Sequence, residues 1–351
     1  MFFSNNFKML SVRTVLVDCA QTFSNTYGGA LRQSIYVVQK SFRRNKFSLA
    51  HVPPKIPVKI RCMREEDIPQ VMELRRQVRV QDVPSVLQTW LKLDPEGMKV
   101  AVNENGDVVG AICITRNHAD LYFAGMYCIH ERFRGLNIGI QLCAAVLARV
   151  QNKNILGNAV NAMLEKYIRA GDLPYIDENF TTVKNYIPNY VTHNVLTNNG
   201  LSENIEIEPY QENLLSFIAQ YDATIAGFER KRILELSCKE KDSQTLAAFK
   251  DGTCIGYGSI KRSCFDAGRV GPLFADDPVV AEALLKKLLE SFPQRKGFAM
   301  MTLRDNIIAN SFIRKLGNPE TDTCVRLYNK EKLKVDTNRI FAVTDMNFSA
   351  V

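Results

Sequence analysis

Nine cysteines are spread through 351 residues without a single C-x-x-C pair, and only four histidines accompany them. Without paired spacing or a histidine cluster there is no recognisable zinc site and no disulfide framework, so no metal is expected and a reducing compartment fits best. Apolar runs approaching the roughly 20 residues of a membrane-spanning helix are also missing, so no membrane partner is expected. Positive charge is scarce once it is located. Residues 1–57 hold eight Lys or Arg and one acid, Asp18, which is +7 of the total of +8 and leaves +1 for everything after. A nearly neutral body without a base-reading or phosphate-reading motif does not bind nucleic acid.

The length implies more than one ordinary core, and two domains are expected. Residues 1–56 are basic, acid-poor and end at the breaker His51-Val52-Pro53-Pro54. That composition suits a mitochondrial transit peptide, and equally an extension with no address. Cytoplasmic placement is expected, with the mitochondrion as the alternative, and no oligomeric state can be read.

What the chain does have is a dense stretch over residues 121–150. LYFAGMYCI (Leu121–Ile129) is aromatic, branched and uncharged, as a strand buried on both faces should be. Gly125 interrupts it, which marks a bulge or a close approach by a ligand or another backbone; a bulge would splay the strand from its neighbour. After His130-Glu131 comes Arg132-Phe133-Arg134-Gly135-Leu136-Asn137-Ile138-Gly139, then apolar Leu142, Cys143, Val146, Leu147 and Val150 at helical spacing. Ile140, Ala144, Ala145 and Ala148 make the other face apolar too, so the helix is enclosed. Its N-terminus sits at the arginine-glycine turn, where unpaired N–H groups and the positive dipole end favour a phosphate.

These residues resemble the acetyl-CoA signature R/Q-x-x-G-x-G/A of the GNAT acetyltransferases, written here Arg134-x-x-Asn137-x-Gly139. Asparagine stands at the family's first glycine of the motif, and it is the best substitute where a positive φ is needed. Strand at residues 58–63, helices around 68–74 and 83–93, hairpin at 99–114, bulged strand, phosphate turn and helix follow the GNAT order. A helix at 160–170 resembles the family ending, with Tyr167 and Gly171 in register but Val160 in place of its asparagine.

From Glu203 the pattern repeats, with a hairpin at 245–260, the turn Gly271-Pro272-Leu273-Phe274-Ala275-Asp276-Asp277-Pro278, a helix and an N-x-x-A ending at Asn306 and Ala309. This resembles the second domain of a tandem GNAT family. The expected fold is therefore α+β, two tandem GNAT-like domains at 57–202 and 203–351. Each is a mixed, mostly antiparallel sheet with a splayed central strand pair flanked by helices. The second turn lacks an arginine, puts two carboxylates at the helix start and loses two N–H groups to proline, so only the first half is expected to bind a CoA diphosphate tightly.

The resemblance implies an acyl-CoA-dependent N-acyltransferase, with acetyl-CoA as co-substrate and an amine-bearing small molecule or peptide as acceptor, joined in a ternary complex. On that reading Cys128 and Ile129 supply the strand edge, Gly135, Leu136, Asn137, Ile138 and Gly139 the pyrophosphate turn, Arg134 a charge beside it, and Tyr167 the acid for the departing thiolate. Asp172, Asp177 and Glu178 can attract an amine or simply be solvated. A non-catalytic acyl-CoA-binding or scaffold protein is the alternative.

Overall fold

Arg61 grips Asp67 with two N–H groups at 2.6 and 2.8 Å, and Asp67 also accepts from the Arg64 N–H at 2.8 Å. That buried carboxylate turns the chain out of β1 (Lys59–Cys62) and into helix α1 (Ile68–Gln77), whose second residue is a proline, tolerated in a first turn. Helix α2 (Pro84–Leu93) also begins on a proline and buries Val86, Leu87 and Trp90. Strands β2 (Met98–Val102), β3 (Val108–His118) and β4 (Leu121–Ile129) form the meander. Helix α3 (Ile138–Leu147), β5 (Asn154–Val160), α4 (Asn161–Ala170) and the long β6 (Tyr175–Ile187) close the first half. The structure, a computed structural model, describes residues 53–351. The basic segment read as an extension or an address lies outside the described residues as far as residue 52.

The second half repeats this order as β7 (Ile205–Pro209), α5 (Leu215–Ala226), α6 (Lys231–Cys238), β8 (Ser243–Lys250), β9 (Thr253–Arg262), β10 (Ala267–Ala275), α7 (Pro278–Ser291), β11 (Gly297–Leu303), α8 (Ile307–Leu316) and β12 (Glu320–Tyr328), with a short β13 (Ile340–Ala342) added. The strands join into one sheet in the order β1-β2-β3-β4-β5-β12-β6-β11-β10-β9-β8-β7, with β13 on β10. The last strand of each half is therefore exchanged. β12 lies between β5 and β6, and β6 lies between β12 and β11.

Helices α1 and α2 pack on one face of the first half over Ala111, Cys113, Met126 and Cys128. Helix α3 packs on the other over Val109, Ile112, Ile114 and Tyr122. Beyond β13 the chain stays buried and crosses from one half to the other. The Val343 carbonyl lies 2.4 Å from where a Cβ on Gly271 would be, and the Asn347 carbonyl 2.2 Å from the corresponding point on Gly125. Phe348 then stacks on Trp90 with ring centroids 6.0 Å apart, and Arg326 donates to the Ala350 carbonyl at 2.6 Å.

Because backbone rather than a flexible side chain meets Gly125, no rotamer change can relieve a methyl there. Gly125→Ala is expected to lower unfolding free energy by about 3 kcal/mol in urea titration; an unchanged midpoint would show that the crossing segment moves freely.

Candidate functional site

In the β3–β4 ladder Cys113 faces Gly125 and Ala111 faces Cys128, so Ile112 alone opposes Met126 and Tyr127. This is a β-bulge, and Met126 sits at φ +55°. The extra residue resets the alternation: Tyr122 and Ala124 face α3 before it, and Tyr127 and Ile129 after it. A bulky residue in the left-handed region is strained, typically by about 1–3 kcal/mol, and persists only when its surroundings dictate it. Here the Met126 N–H donates to Asn347 Oδ1 at 3.0 Å, Asn347 Nδ2 donates to Asp82 Oδ1 at 2.7 Å, and Arg75 Nη2 donates to Asn347 Oδ1 at 3.1 Å. Arg75 Nε closes the ring on Asp82. Burial works against the Arg75 charge, but the Asp82 carboxylate outweighs it and holds the guanidinium above its ordinary range.

Past the bulge the sheet opens. Parallel pairing of β4 with β5 runs only from Leu121 with Asn154 to Ala124 with Gly157. A cavity of about 940 Å³ occupies the gap and extends to the turn at residues 134–139. The His130 N–H donates to the Val109 carbonyl at 2.9 Å. By the alternation of an antiparallel ladder Cys128 also pairs toward β3, while the N–H and C=O of Ile129 point into the gap. Cys128 lines the cavity, but its thiol lies on the α1 face beside Arg75.

The turn has the left-handed backbone that its composition implies, with Gly135 at φ +76° and Asn137 at φ +65°, ψ 3°. Asn137 precedes α3 without capping it, so among the described residues no side chain takes up the first N–H groups of the helix. Arg134 folds back, its Nε donating to the Ile129 carbonyl at 3.2 Å. Arg134, Gly135, Asn137, Ile138 and Gly139 line the cavity; Leu136 does not, and its carbonyl accepts from the Lys55 N–H at 3.0 Å.

Tyr167 projects from α4 into the same cavity. Burial pushes its phenol well above the tyrosine range, with Cys143 and Tyr127 adding to the effect. Tyr127, which the sequence reading did not single out, has its phenol pushed up to about 12 by burial. Its hydroxyl lies 2.0 Å from where a Cβ on Gly139 would be, so Gly139 is the residue that lets a tyrosine reach the first turn of α3. Of the three acids considered for an amine, Asp172 lines the cavity, Asp177 is buried 3.9 Å from Lys332, and Glu178 is exposed.

The second half has the same bulge, where Val270 faces Ile260 and Leu273 faces Gly258. Its gap is closed by the chain itself: β10 leaves β11 after Val270, and β13 then pairs with β10 at Leu273 and Phe274. Asp277 Oδ1 accepts from the N–H groups of Val279 and Val280 at 2.8 and 3.0 Å, so the donors that α3 leaves open are occupied in α7. Ile313 is buried in the core beside α7.

A parallel strand pair parted by a bulge, with an uncapped helix N-terminus at the mouth of the gap, defines the class as an acyltransferase fold. Residues 64–164 match the model of the Acetyltransferase (GNAT) family, residues 218–342 match the model of an Acetyltransferase (GNAT) domain, and the chain belongs to this family with two GNAT domains in tandem. Holothin acyltransferase from Pseudoalteromonas sp. (strain SANK 73390) is 19% identical over 265 residues, covering 74% of this chain and 83% of that protein. A putative acetyltransferase from Pyrococcus horikoshii superposes with a TM-score of 0.63 at 18% identity, over 83% of this chain and 96% of that one. A tandem GNAT protein from the clavulanic acid biosynthesis pathway superposes with a TM-score of 0.55 at 12% identity, over 79% and 100%. At these identities the likeness to the two structures is one of fold.

The left-handed φ at Asn137 yields a direct test. Asn137→Gly is expected to change stability by less than about 0.5 kcal/mol, whereas Asn137→Val, branched at Cβ, should cost about 1–2 kcal/mol. Thermal melting of the two variants compares them; equal melting would mean that the turn does not hold this backbone in solution.

Proposed function

We propose that the chain transfers an acyl group, acetyl by preference, from acyl-CoA directly to an amine in a ternary complex. The observation that carries this reading is the one cavity that runs from the uncapped start of α3, past the outward-facing backbone of Ile129, to the phenol of Tyr167. The thioester supplies an activated carbonyl. Residues 135–139 would hold the diphosphate on backbone N–H groups, with Arg134 adding charge at the turn. The Ile129 N–H would donate to the carbonyl oxygen as negative charge develops on it. As the C–N bond forms and the C–S bond breaks, Tyr167, kept protonated by burial, would give its proton to the sulfur that leaves, and the proton shed by the amine nitrogen would restore the phenol.

The alternative of a non-catalytic acyl-CoA-binding protein has one observation in its favour. The Tyr127 hydroxyl rests against Gly139 and narrows the approach to the helix. Release of free CoA in the presence of a panel of amines, amino acids and peptides separates the two readings.

Gly139→Glu is expected to abolish CoA binding in calorimetry, since it puts a carboxylate at the phosphate end of the dipole and displaces Tyr127. A folded variant with unchanged affinity would remove the assignment of this turn. Tyr167→Phe is expected to retain affinity for acetyl-CoA and to slow turnover by roughly 100-fold. Wild-type turnover would return Tyr167 to a packing role.

A further inference from the structure

A second cavity of about 620 Å³ adjoins the first, and Val78, Val80, Lys184, Asp322 and Met346 line both. Its floor is the part of the sheet created by the strand exchange. Register places Arg269, Ala299, Tyr186 and Glu320 in one row across β10, β11, β6 and β12. Met301, Lys184 and Asp322 form the next row on the same face.

Three cations and three carboxylates line this cavity, and each carboxylate has a partner other than Arg269. Asp82 is held by Arg75, Asp322 by Lys184 at 2.6 Å, and Glu320 lies 3.7 Å from Arg79. Lys261, beside Arg269 on β9, has its own buried partner in Glu240 at 2.9 Å. Arg269 is left over. It is 6% exposed, it lines the cavity, and among the described residues its guanidinium is bonded only to the Thr344 carbonyl, through Nη2 at 2.7 Å. A guanidinium carries five N–H donors in a planar fork matched to a carboxylate, and the Thr344 carbonyl takes only one of those of Arg269. The empty side of this fork is a place for an anionic group.

We propose that Arg269 binds the carboxylate of the acceptor, and that the acceptor is an amine of short-peptide length ending in a carboxylate. The amine end would lie where the two cavities meet, at Lys184 and Asp322. From Lys184 to Arg269 is two steps between strands and two residues along them, about 12 Å between backbones, which an extended peptide of about three residues spans. The position of the amine rests on the acyl transfer proposed above; carboxylate recognition by Arg269 does not.

The experiment is calorimetry of the full chain with triglycine and with triglycine amide, run alongside an assay of CoA release with acetyl-CoA present. Wild type is expected to bind the free acid at least about 10-fold more tightly than the amide, as a charge-assisted pair requires. Arg269→Met should erase that difference without weakening the amide, and Arg269→Lys, which keeps the charge without the fork, should retain part of it. Equal binding of acid and amide by wild type overturns the proposal, whether or not the variants fold. So does a preference that survives in a folded Arg269→Met chain. Preference for the acid with no CoA release supports the carboxylate site and overturns acyl transfer, whereas equal binding with equal CoA release from acid and amide does the reverse.

Discussion

Between β4 and the segment beyond β13, the Asn347 side chain takes the Met126 N–H and passes its own N–H to Asp82, while Arg75 binds both Asn347 and Asp82. Each group in this ring is buried, so the loss of any one strands a polar partner away from water. What the ring holds is a methionine in the left-handed region, and the bulge at that methionine is what turns Tyr127 and Ile129 toward α3 and ends the pairing with β5. The cavity, the outward-facing Ile129 backbone and the contact of Tyr127 with Gly139 all follow from the bulge. The contact belongs to no single half of the chain, since Arg75 and Asp82 come from the first and Asn347 from the second.

The two halves share a fold and differ in what fills the same gap. In the first, β4 and β5 part around an open cavity at the foot of an uncapped helix. In the second, β13 hydrogen-bonds to β10 at the equivalent place and Asp277 takes up the helix donors. The chain that fills one gap continues to Asn347 and braces the bulge of the other. Strand exchange couples the halves in a second way, because β6 and β12 are set beside β11 and β10 to make one floor on which Lys184, Asp322 and Arg269 are brought to one face. The proposed acceptor cavity thus has walls from both halves.

Much of the local structure was legible because it depends on short-range chemistry. Strand and helix order follow from period and from breakers such as Pro84 and Gly171, and the turn at residues 134–139 follows from glycine and asparagine at positions that need a positive φ. Gly125 signalled a bulge or a close approach, and both occur: the bulge begins at the next residue and the Asn347 backbone is the chain that approaches. Tyr127 was not legible as a site residue, since an aromatic in a buried strand reads as core until the bulge decides which face it takes.

The sequence by itself determined the elements, the left-handed turn at residues 135–137 and the asymmetry between an uncapped α3 and an Asp277-capped α7, because each is settled by residues within a few positions of one another. Only the tertiary structure decided that the last strands exchange, that Asn347 reaches Met126, and that Arg269 is left without a carboxylate among the described residues. The physical reason is that a hydrogen-bond donor or a buried charge accepts any partner of the right chemistry. The choice among partners hundreds of residues apart is made by the sheet register and by the backbone crossing at Gly125 and Gly271, neither of which leaves a local pattern.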